Sequence, residues 1–242
     1  LQSDTQITCP LPQGYGAGLS VSVTIAGQTA TQSSGGDFSY NAPDVTEVDP
    51  TSLPADNTAA VDVTIKGFNF GTAAILPSSV TFNGVACASI SSVTDTAFTC
   101  DAPDGFGPGV DVVVTQTSQS NPATTNLFSY NAPTVSAIDP DTGSTLGHPL
   151  GGAQTFTIRG TNLGATNNAL PAPTVQIGPN NLDFTGCAWA DDTYFTCTGL
   201  DEGIGQGLDV TVNYGGETFS ATDKFSYGLP QVTHVDLNGQ VG

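Results

Sequence analysis

Six residues, Phe-Ser-Tyr-Asn-Ala-Pro, occur letter for letter at 38–43 and again at 128–133. A third version, Phe-Ser-Tyr-Gly-Leu-Pro, follows at 225–230, so the intervals are 90 and then 97 residues. A catalytic loop is normally used once in an enzyme, whereas a segment that recurs at the length of a small domain indicates a copied module. The repeat therefore predicts a tandem array of similar domains.

Other segments recur in step with this one. An Asp-Thr-x-x-Thr-Cys run comes before a Gly-x-Gly-x-Gly stretch in three places, with the cysteines at Cys9, Cys100 and Cys197 and the glycines at 14–18, 105–109 and 203–207. A strand pattern follows each glycine stretch, which favours a tight connection needing positive φ over a phosphate-binding loop. We expect two whole modules at 42–131 and 132–228, the C-terminal half of a preceding module at 1–41 and the first strand of a following module at 229–242.

Apolar and polar residues alternate along short segments of each expected module. Examples are Val110, Val112 and Val114 in the first and 208–214 in the second. Alternation of this kind indicates a strand with one buried and one solvated face. Gly, Pro, Asn and Asp interrupt these runs, and no long segment has helical periodicity. The pattern predicts an all-β chain of antiparallel β-sandwiches.

Four of the five cysteines form two closely spaced pairs, Cys87 with Cys100 and Cys187 with Cys197. Each pair flanks an expected hairpin turn, so we predict a cross-strand disulfide in each module, worth roughly 3 kcal/mol by the chain-entropy estimate. The fifth, Cys9, is expected to pair upstream of Leu1. There is no Cys-x-x-Cys, and the two histidines lie far apart, so a zinc site is not predicted. Paired cysteines in an acidic chain favour an oxidising, extracellular setting.

The charge of the chain excludes several classes of partner. There are 22 acidic residues against three basic ones, a net charge of −19. A nucleic-acid partner requires several Lys or Arg side chains to neutralise phosphates, and an anionic membrane surface repels an acidic chain. No apolar stretch approaches the ~20 residues of a membrane span. We expect no nucleic-acid binding and no insertion of this chain into a membrane.

These motifs together resemble the IPT/TIG immunoglobulin-like family. The resemblance rests on Pro-x-Val/Ile-x-x-Val/Ile-x-Pro at the start of each module, Thr-Ile-x-Gly-x-Asn at 64–69 and 157–162, the cysteine pair, the glycine stretch and the closing Phe-Ser-Tyr. It implies immunoglobulin-like β-sandwiches in one of three settings: Rel-type transcription factors, the extracellular stalks of plexin-like and growth-factor receptors, or surface arrays of protists and bacteria. The scarcity of basic residues excludes the first.

Acidic residues collect near the module boundaries, and the candidate calcium ligands among them are Glu47, Asp49, Asp139 and Asp141. Carboxylates at a boundary can hold Ca²⁺ and stiffen an array. The alternatives are solvated turn residues, or ion pairs of Lys66 with Asp49 and of Arg159 with Asp139. A calcium titration that follows the melting temperature tests this hypothesis. An unchanged melting temperature at millimolar calcium would contradict it. No other cofactor is expected.

Two further features concern carbohydrates. Trp189 follows Cys187 by two residues, and it either packs against the disulfide or stacks on a sugar ring. No Asn-x-Ser/Thr sequon occurs, so N-glycans are not predicted. O-glycans on the Thr/Ser-rich loops at 28–36 and 115–125 are a hypothesis that the intact mass tests.

No Ser-His-Asp order, paired-carboxylate signature or metal motif appears, and the chain is predicted not to be an enzyme. We predict a structural segment of an extracellular filament, stalk or cell-surface protein, built from stiffly joined modules that contact neighbouring copies or other surface proteins. The alternative is an adhesin or receptor ectodomain that binds a protein or glycan through its loops. Electron microscopy separates the two, because only the structural reading predicts ordered polymers.

Overall fold

The structure is a computed structural model that describes residues 2–3, 5–32, 38–56, 59–124, 126–145, 154–164, 172–180, 182–214 and 216–232. The chain divides into two compact units, Leu1–Asn131 and Ala132–Gly242. Both are built from strands, as the sequence predicts. Within the described ranges there is no helix of the length and apolar character needed to cross a membrane.

The first unit begins with two short antiparallel hairpins. Their strands are β1 (Gln2–Ser3), β2 (Gln6–Ile7), β3 (Ser22–Ile25) and β4 (Gln28–Thr31). Ala26 and Gly27 both have positive φ, which is the conformation that a two-residue hairpin turn requires. Apolar side chains of β3 are exposed, among them Val23 and Ile25.

Ten strands follow among the described residues of the first unit. They are β5 (Asp44–Asp49), β6 (Ser52–Leu53), β7 (Asp62–Phe68), β8 (Ser79–Phe82), β9 (Val85–Ala86), β10 (Ala88–Ser91), β11 (Ala97–Asp101), β12 (Val112–Gln116), β13 (Gln119–Ser120) and β14 (Ser129–Tyr130). Two antiparallel sheets form from them, in the orders β10-β11-β7-β5 and β13-β12-β8-β9. Val63 and Ile65 of one sheet and Val112 and Val114 of the other are fully buried in one core.

The described residues of the second unit form eight strands. They are β15 (Thr134–Asp139), β16 (Thr142–Gly143), β17 (Phe156–Thr161), β18 (Thr174–Ile177), β19 (Leu182–Asp191), β20 (Tyr194–Leu200), β21 (Leu208–Tyr214) and β22 (Glu217–Tyr227). They are hydrogen-bonded in the order β15-β17-β20-β19-β18-β21-β22-β16. The long strand β19 pairs with β18 at its start and with β20 further on, so it joins what are two separate sheets in the first unit.

The pairing is not antiparallel throughout, which corrects the sequence prediction. Strand β6 pairs in parallel with β14, and β16 pairs in parallel with β22. A proline at position 50 or 140 ends the preceding strand, because proline has no N–H to donate to the ladder. The chain then continues beside the last strand of the same module. The two strands run in the same direction from one end of the sandwich, so they pair in parallel.

A glycine in β7 and its equivalent in β17 lie against the first strand of their module. A Cβ atom on Gly67 would stand 1.9 Å from the carbonyl oxygen of Asp44, and one on Gly160 would stand 1.7 Å from that of Thr134. The register of β5 on β7 shifts next to this point, as does that of β15 on β17. The glycine of Thr-Ile-x-Gly-x-Asn is therefore required by close backbone approach.

Candidate functional site

The repeated Phe-Ser-Tyr forms the same set of contacts three times, which we call the tyrosine clamp. The tyrosine hydroxyl donates to a backbone carbonyl upstream: Tyr40 to Pro12 at 2.8 Å, Tyr130 to Pro103 at 2.6 Å and Tyr227 to Asp201 at 3.0 Å. The clamp thereby fastens the end of each module to the loop that follows its last cysteine.

The glycine stretch accommodates the clamp in two ways. A Cβ on Gly105 would lie 2.3 Å from the ring of Tyr130, so the first glycine leaves room for the tyrosine ring. Gly107 and Gly109 have φ of 89° and 60°, as the sequence predicts for this tight connection. The amide of Gly109 donates to the hydroxyl of Ser129, and the corresponding bonds recur in the other two copies. Phe128 lies in the core. All three residues of this Phe-Ser-Tyr therefore make a defined contact within the module.

The residues that connect one Phe-Ser-Tyr to the next module are tied to that module. The side-chain amide of Asn69 donates to the carbonyl of Ala42 at 2.9 Å, and that of Asn162 donates to Ala132 at 3.2 Å. Both asparagines have positive φ, which asparagine tolerates better than most residues. In the first unit the amide of Gln119 also donates to the carbonyl of Tyr40 at 2.9 Å. We call these the linker ties.

Each complete module contains a disulfide. Cys87 and Cys100 are joined with their Cα atoms 6.0 Å apart, and Cys187 and Cys197 with theirs 4.0 Å apart. The second pair stands directly opposite across β19 and β20. Cys9 is a free, exposed cysteine. Its pairing with a cysteine upstream stays a prediction.

The boundary carboxylates do not gather into one cluster. Lys66 contacts Glu47 at 2.6 Å and Asp49 at 3.9 Å, and the hydrogen bond to Glu47 raises the pKa of Lys66. The expected Lys66–Asp49 pair is therefore present, but the closer partner is Glu47, because Glu47 stands directly opposite Lys66 in the β5–β7 register. Asp139 and Asp141 are exposed. In the part of the chain that the structure describes, no three acidic, histidine or cysteine side chains are placed to hold a metal ion, and junctional calcium stays a prediction.

Two other predicted residues have aromatic neighbours. Arg159 lies over the ring of Tyr194, with the guanidinium carbon 5.6 Å from the ring centroid, and so is engaged elsewhere than in the expected pair with Asp139. Trp189 packs edge-to-face on Phe195 at 5.4 Å and on Tyr214 at 4.7 Å. It is half-buried and packs against the core of the second unit, and its packing against the disulfide stays a prediction.

A cleft of about 480 Å³ lies within the first unit. The loop before β3 supplies Tyr15, the first clamp supplies Phe38 and Tyr40, and the segments around β7, β11 and β12 supply the opposite wall. The remaining lining residues are Leu11, Gln13, Gly14, Ser39, Asn41, Asn69, Gly71, Thr72, Ile75, Asp95 and Gln116. Volumes of about 300–1,000 Å³ are usual for sites that bind small ligands.

Gln116 is the residue in this cleft that sequence reasoning missed. It ends β12 at an inward position and is only 4% exposed. Its Nε2 atom has no hydrogen-bond acceptor among the described residues. The alternation of Val112 and Val114 predicts an apolar side chain at position 116. A glutamine at this inward position is therefore the sequence feature that could have indicated the site.

Burial raises the pKa of three tyrosines, that of Tyr227 to about 12, with nearby carboxylates adding to the effect. The other two are Tyr130 and Tyr214. An unfolded tyrosine ionises near pH 10, so these phenols stabilise the fold below about pH 10 and that contribution is lost as the pH rises towards 12. We expect the urea midpoint to fall steeply above about pH 10. Tyr227→Phe should make the fall shallower, whereas Tyr15→Phe, at an exposed position, should not; equal slopes for both variants would contradict the assignment.

Comparisons with known proteins give one family. The sequence matches the IPT/TIG domain over residues 43–130 and 133–227. No curated protein matches the chain.

Several solved structures are similar in fold. The surface glycan-binding protein PbSGBP-B from Prevotella bryantii is 17% identical with a TM-score of 0.44, and the match covers 76% of this chain and 42% of that one. The plexin A4 extracellular region is 20% identical with a TM-score of 0.35, covering 77% of this chain and 18% of that one. The mixed-linkage glucan SGBP-B from Bacteroides ovatus is 13% identical with a TM-score of 0.27, covering 94% and 71%. The chain spans less than half of the first two structures.

Proposed function

Because the chain belongs to the IPT/TIG family, in two tandem immunoglobulin-like copies, we propose that it is a non-enzymatic structural segment of an extracellular filament, stalk or cell-surface protein. The observation that carries this proposal is the set of linker ties. Connections of two or three residues that contain a proline and are hydrogen-bonded to the next module leave little freedom between modules. Stiffness over distance is what a stalk or fibre requires.

We further propose that residues 1–41 form the C-terminal half of another IPT/TIG repeat, that 42–131 and 132–228 are complete repeats, and that 229–242 begin the next one. Two observations support the first assignment. The segment contains a full tyrosine clamp, with Tyr40 bonded to Pro12. The exposed apolar residues of β3, such as Ile25, correspond to a strand that is buried in a complete repeat.

The disulfides support an extracellular location. Structural disulfides persist in oxidising compartments and are rare in the cytosol. Cys100 and Cys197 are fully buried in their modules, so their bridges belong to the core and not to a reactive surface. The net charge of −19 keeps copies apart at low ionic strength, and salt or cations would permit lateral contact.

Electron microscopy of the native protein tests this function. We expect ordered polymers of constant spacing per repeat, with lateral association that increases with ionic strength. Beads that bend freely at 41–43 or at 131–133 would contradict the structural role.

A second candidate, an adhesin or receptor ectodomain that binds a protein or glycan, is favoured by one observation. The cleft of the first unit combines aromatic rings with a buried amide that lacks an acceptor among the described residues. Isolated tethered rods that bind a partner would support this candidate, and the two functions can coexist in one surface protein.

A further inference from the structure

We propose that the cleft of the first unit is a binding site for a neutral oligosaccharide, with Tyr15 as the stacking surface and Gln116 as a hydrogen-bond donor. The inference rests on the second candidate function and names its ligand class. It does not depend on the structural role, because the cleft lies within Leu1–Asn131.

The walls of the cleft are fixed before any ligand arrives. The hydroxyl of Tyr40 is held by Pro12, and the amide of Asn69 is held by Ala42. The carboxylate of Asp95 accepts from the amide of Gly71 at 3.4 Å. Phe38 packs edge-to-face on Tyr40, with ring centroids 5.0 Å apart. A ligand therefore meets a preorganised surface, which reduces the entropic cost of binding.

The groups that face the ligand are aromatic, amide and hydroxyl. Tyr15 is 45% exposed and lines the cleft, so its ring presents an apolar surface beside polar groups. Gln13 and Asn41 add amides, each with donors and an acceptor. Sugar rings offer C–H faces for stacking and hydroxyls that both donate and accept. The lining matches that chemistry.

Charge and geometry disfavour other ligands. None of the three basic residues lines the cleft, and Asp95 does, so an anionic ligand would be repelled. A peptide that adds a strand requires the open edge of a sheet, whereas Gln116 is the only lining residue that belongs to a strand longer than an isolated bridge. The lining therefore favours a neutral, hydroxyl-rich ligand over an anionic ligand and over a peptide that adds a strand.

Gln116 gives the strongest indication. Buried amide donors in native proteins nearly always have an acceptor, and the Nε2 of Gln116 has none in the described part of the chain. A ligand oxygen seated in the cleft supplies one. The second module has Tyr214 at the equivalent inward position of β21, and Trp189 packs on it at 4.7 Å. Aromatic side chains fill that corner in the second module, whereas the first module keeps a polar one.

Native affinity electrophoresis tests the site with the intact chain, whose charge gives it good mobility. The probes are neutral glucans, mannans, galactans and xylans embedded in the gel, with alginate and an unrelated peptide as competitors in solution. We expect at least one neutral polysaccharide to retard the protein. Tyr15→Ala and Gln116→Met should each weaken retardation about tenfold, since each removes one principal contact.

Phe68→Ala is the matched control, because Phe68 is an exposed aromatic residue of the same unit that does not line the cleft. It should bind as the wild type does, and melting curves should show all three variants folded. Retardation by none of the neutral polysaccharides, equal loss in Phe68→Ala and Tyr15→Ala, or wild-type binding by both cleft variants would overturn the proposal. Competition by alginate or by the peptide would also overturn it. None of these results affects the microscopy of rods and polymers.

Discussion

Replacing Gly67 by alanine is expected to destabilise the first module by about 3 kcal/mol or more. The new Cβ would stand 1.9 Å from the carbonyl oxygen of Asp44 and 2.7 Å from the ring of Phe70. A flexible side chain could move aside, but a backbone carbonyl in a sheet cannot move without breaking its ladder. Strand β5 must therefore separate from β7, and the contact between Glu47 and Lys66 is lost with it.

Gly84→Ala is the matched control for this variant. Gly84 has positive φ, which Gly67 does not, but a Cβ there would meet nothing within 4 Å. Its replacement should cost only about 1 kcal/mol, through backbone strain alone. Urea unfolding followed by circular dichroism measures both, and hydrogen exchange should show β5 amides opened in Gly67→Ala. A midpoint for Gly67→Ala as high as that of Gly84→Ala would contradict the close-approach argument.

Removing the first disulfide is expected to have an effect of similar size. The double variant Cys87→Ala, Cys100→Ala should lower the stability of the first unit by about 3 kcal/mol, because the unfolded chain regains the freedom of a loop of 13 residues. Cys100 is fully buried beside the core residue Phe98, so the lost sulfur also leaves a small cavity. Reduction of the wild type should reproduce part of the loss.

The single tryptophan makes this test specific to one unit. Trp189 packs against the core of the second unit, so its fluorescence reports the unfolding of that unit alone. The Cys87/Cys100 double variant should shift the circular dichroism transition and leave the fluorescence transition in place. The converse double variant at Cys187 and Cys197 should shift the fluorescence. A fluorescence shift in both variants would show that the two units unfold as one.

The fold could be predicted because its main determinants repeat. Alternating residues such as Val112 and Val114 are buried as their period-two pattern requires, and the third appearance of Phe-Ser-Tyr fixes the module length. Equivalent segments of the repeats must form the same structure, so an incorrect assignment of one segment would conflict with its equivalents. The Phe-Ser-Tyr strand β14 was expected, but its parallel pairing with β6 was missed because β6 has two residues, too few to show any period.

The candidate site could not be predicted in the same way. Its residues come from five separated parts of the chain and meet only after folding. Tyr15, in Gly-Tyr-Gly, reads as a loop residue, and Gln116 reads as the polar end of a strand. The Lys66–Asp49 contact was predicted, but the shorter contact with Glu47 was missed, because the register shift that places Glu47 opposite Lys66 cannot be seen in the sequence.

The parallel pairs at the ends of each module have a mechanical consequence. Ser129 and Asn131 donate to Thr51 and Leu53, so the strand leaving the first module is bonded to the segment that directly follows its first strand. Tension applied at the two ends of the module pulls these strands in opposite directions along their length. All the hydrogen bonds between the two strands are loaded in shear at once, instead of breaking one after another. A module under tension therefore unfolds abruptly, and its buried disulfide then prevents the residues between 87 and 100 from being extended.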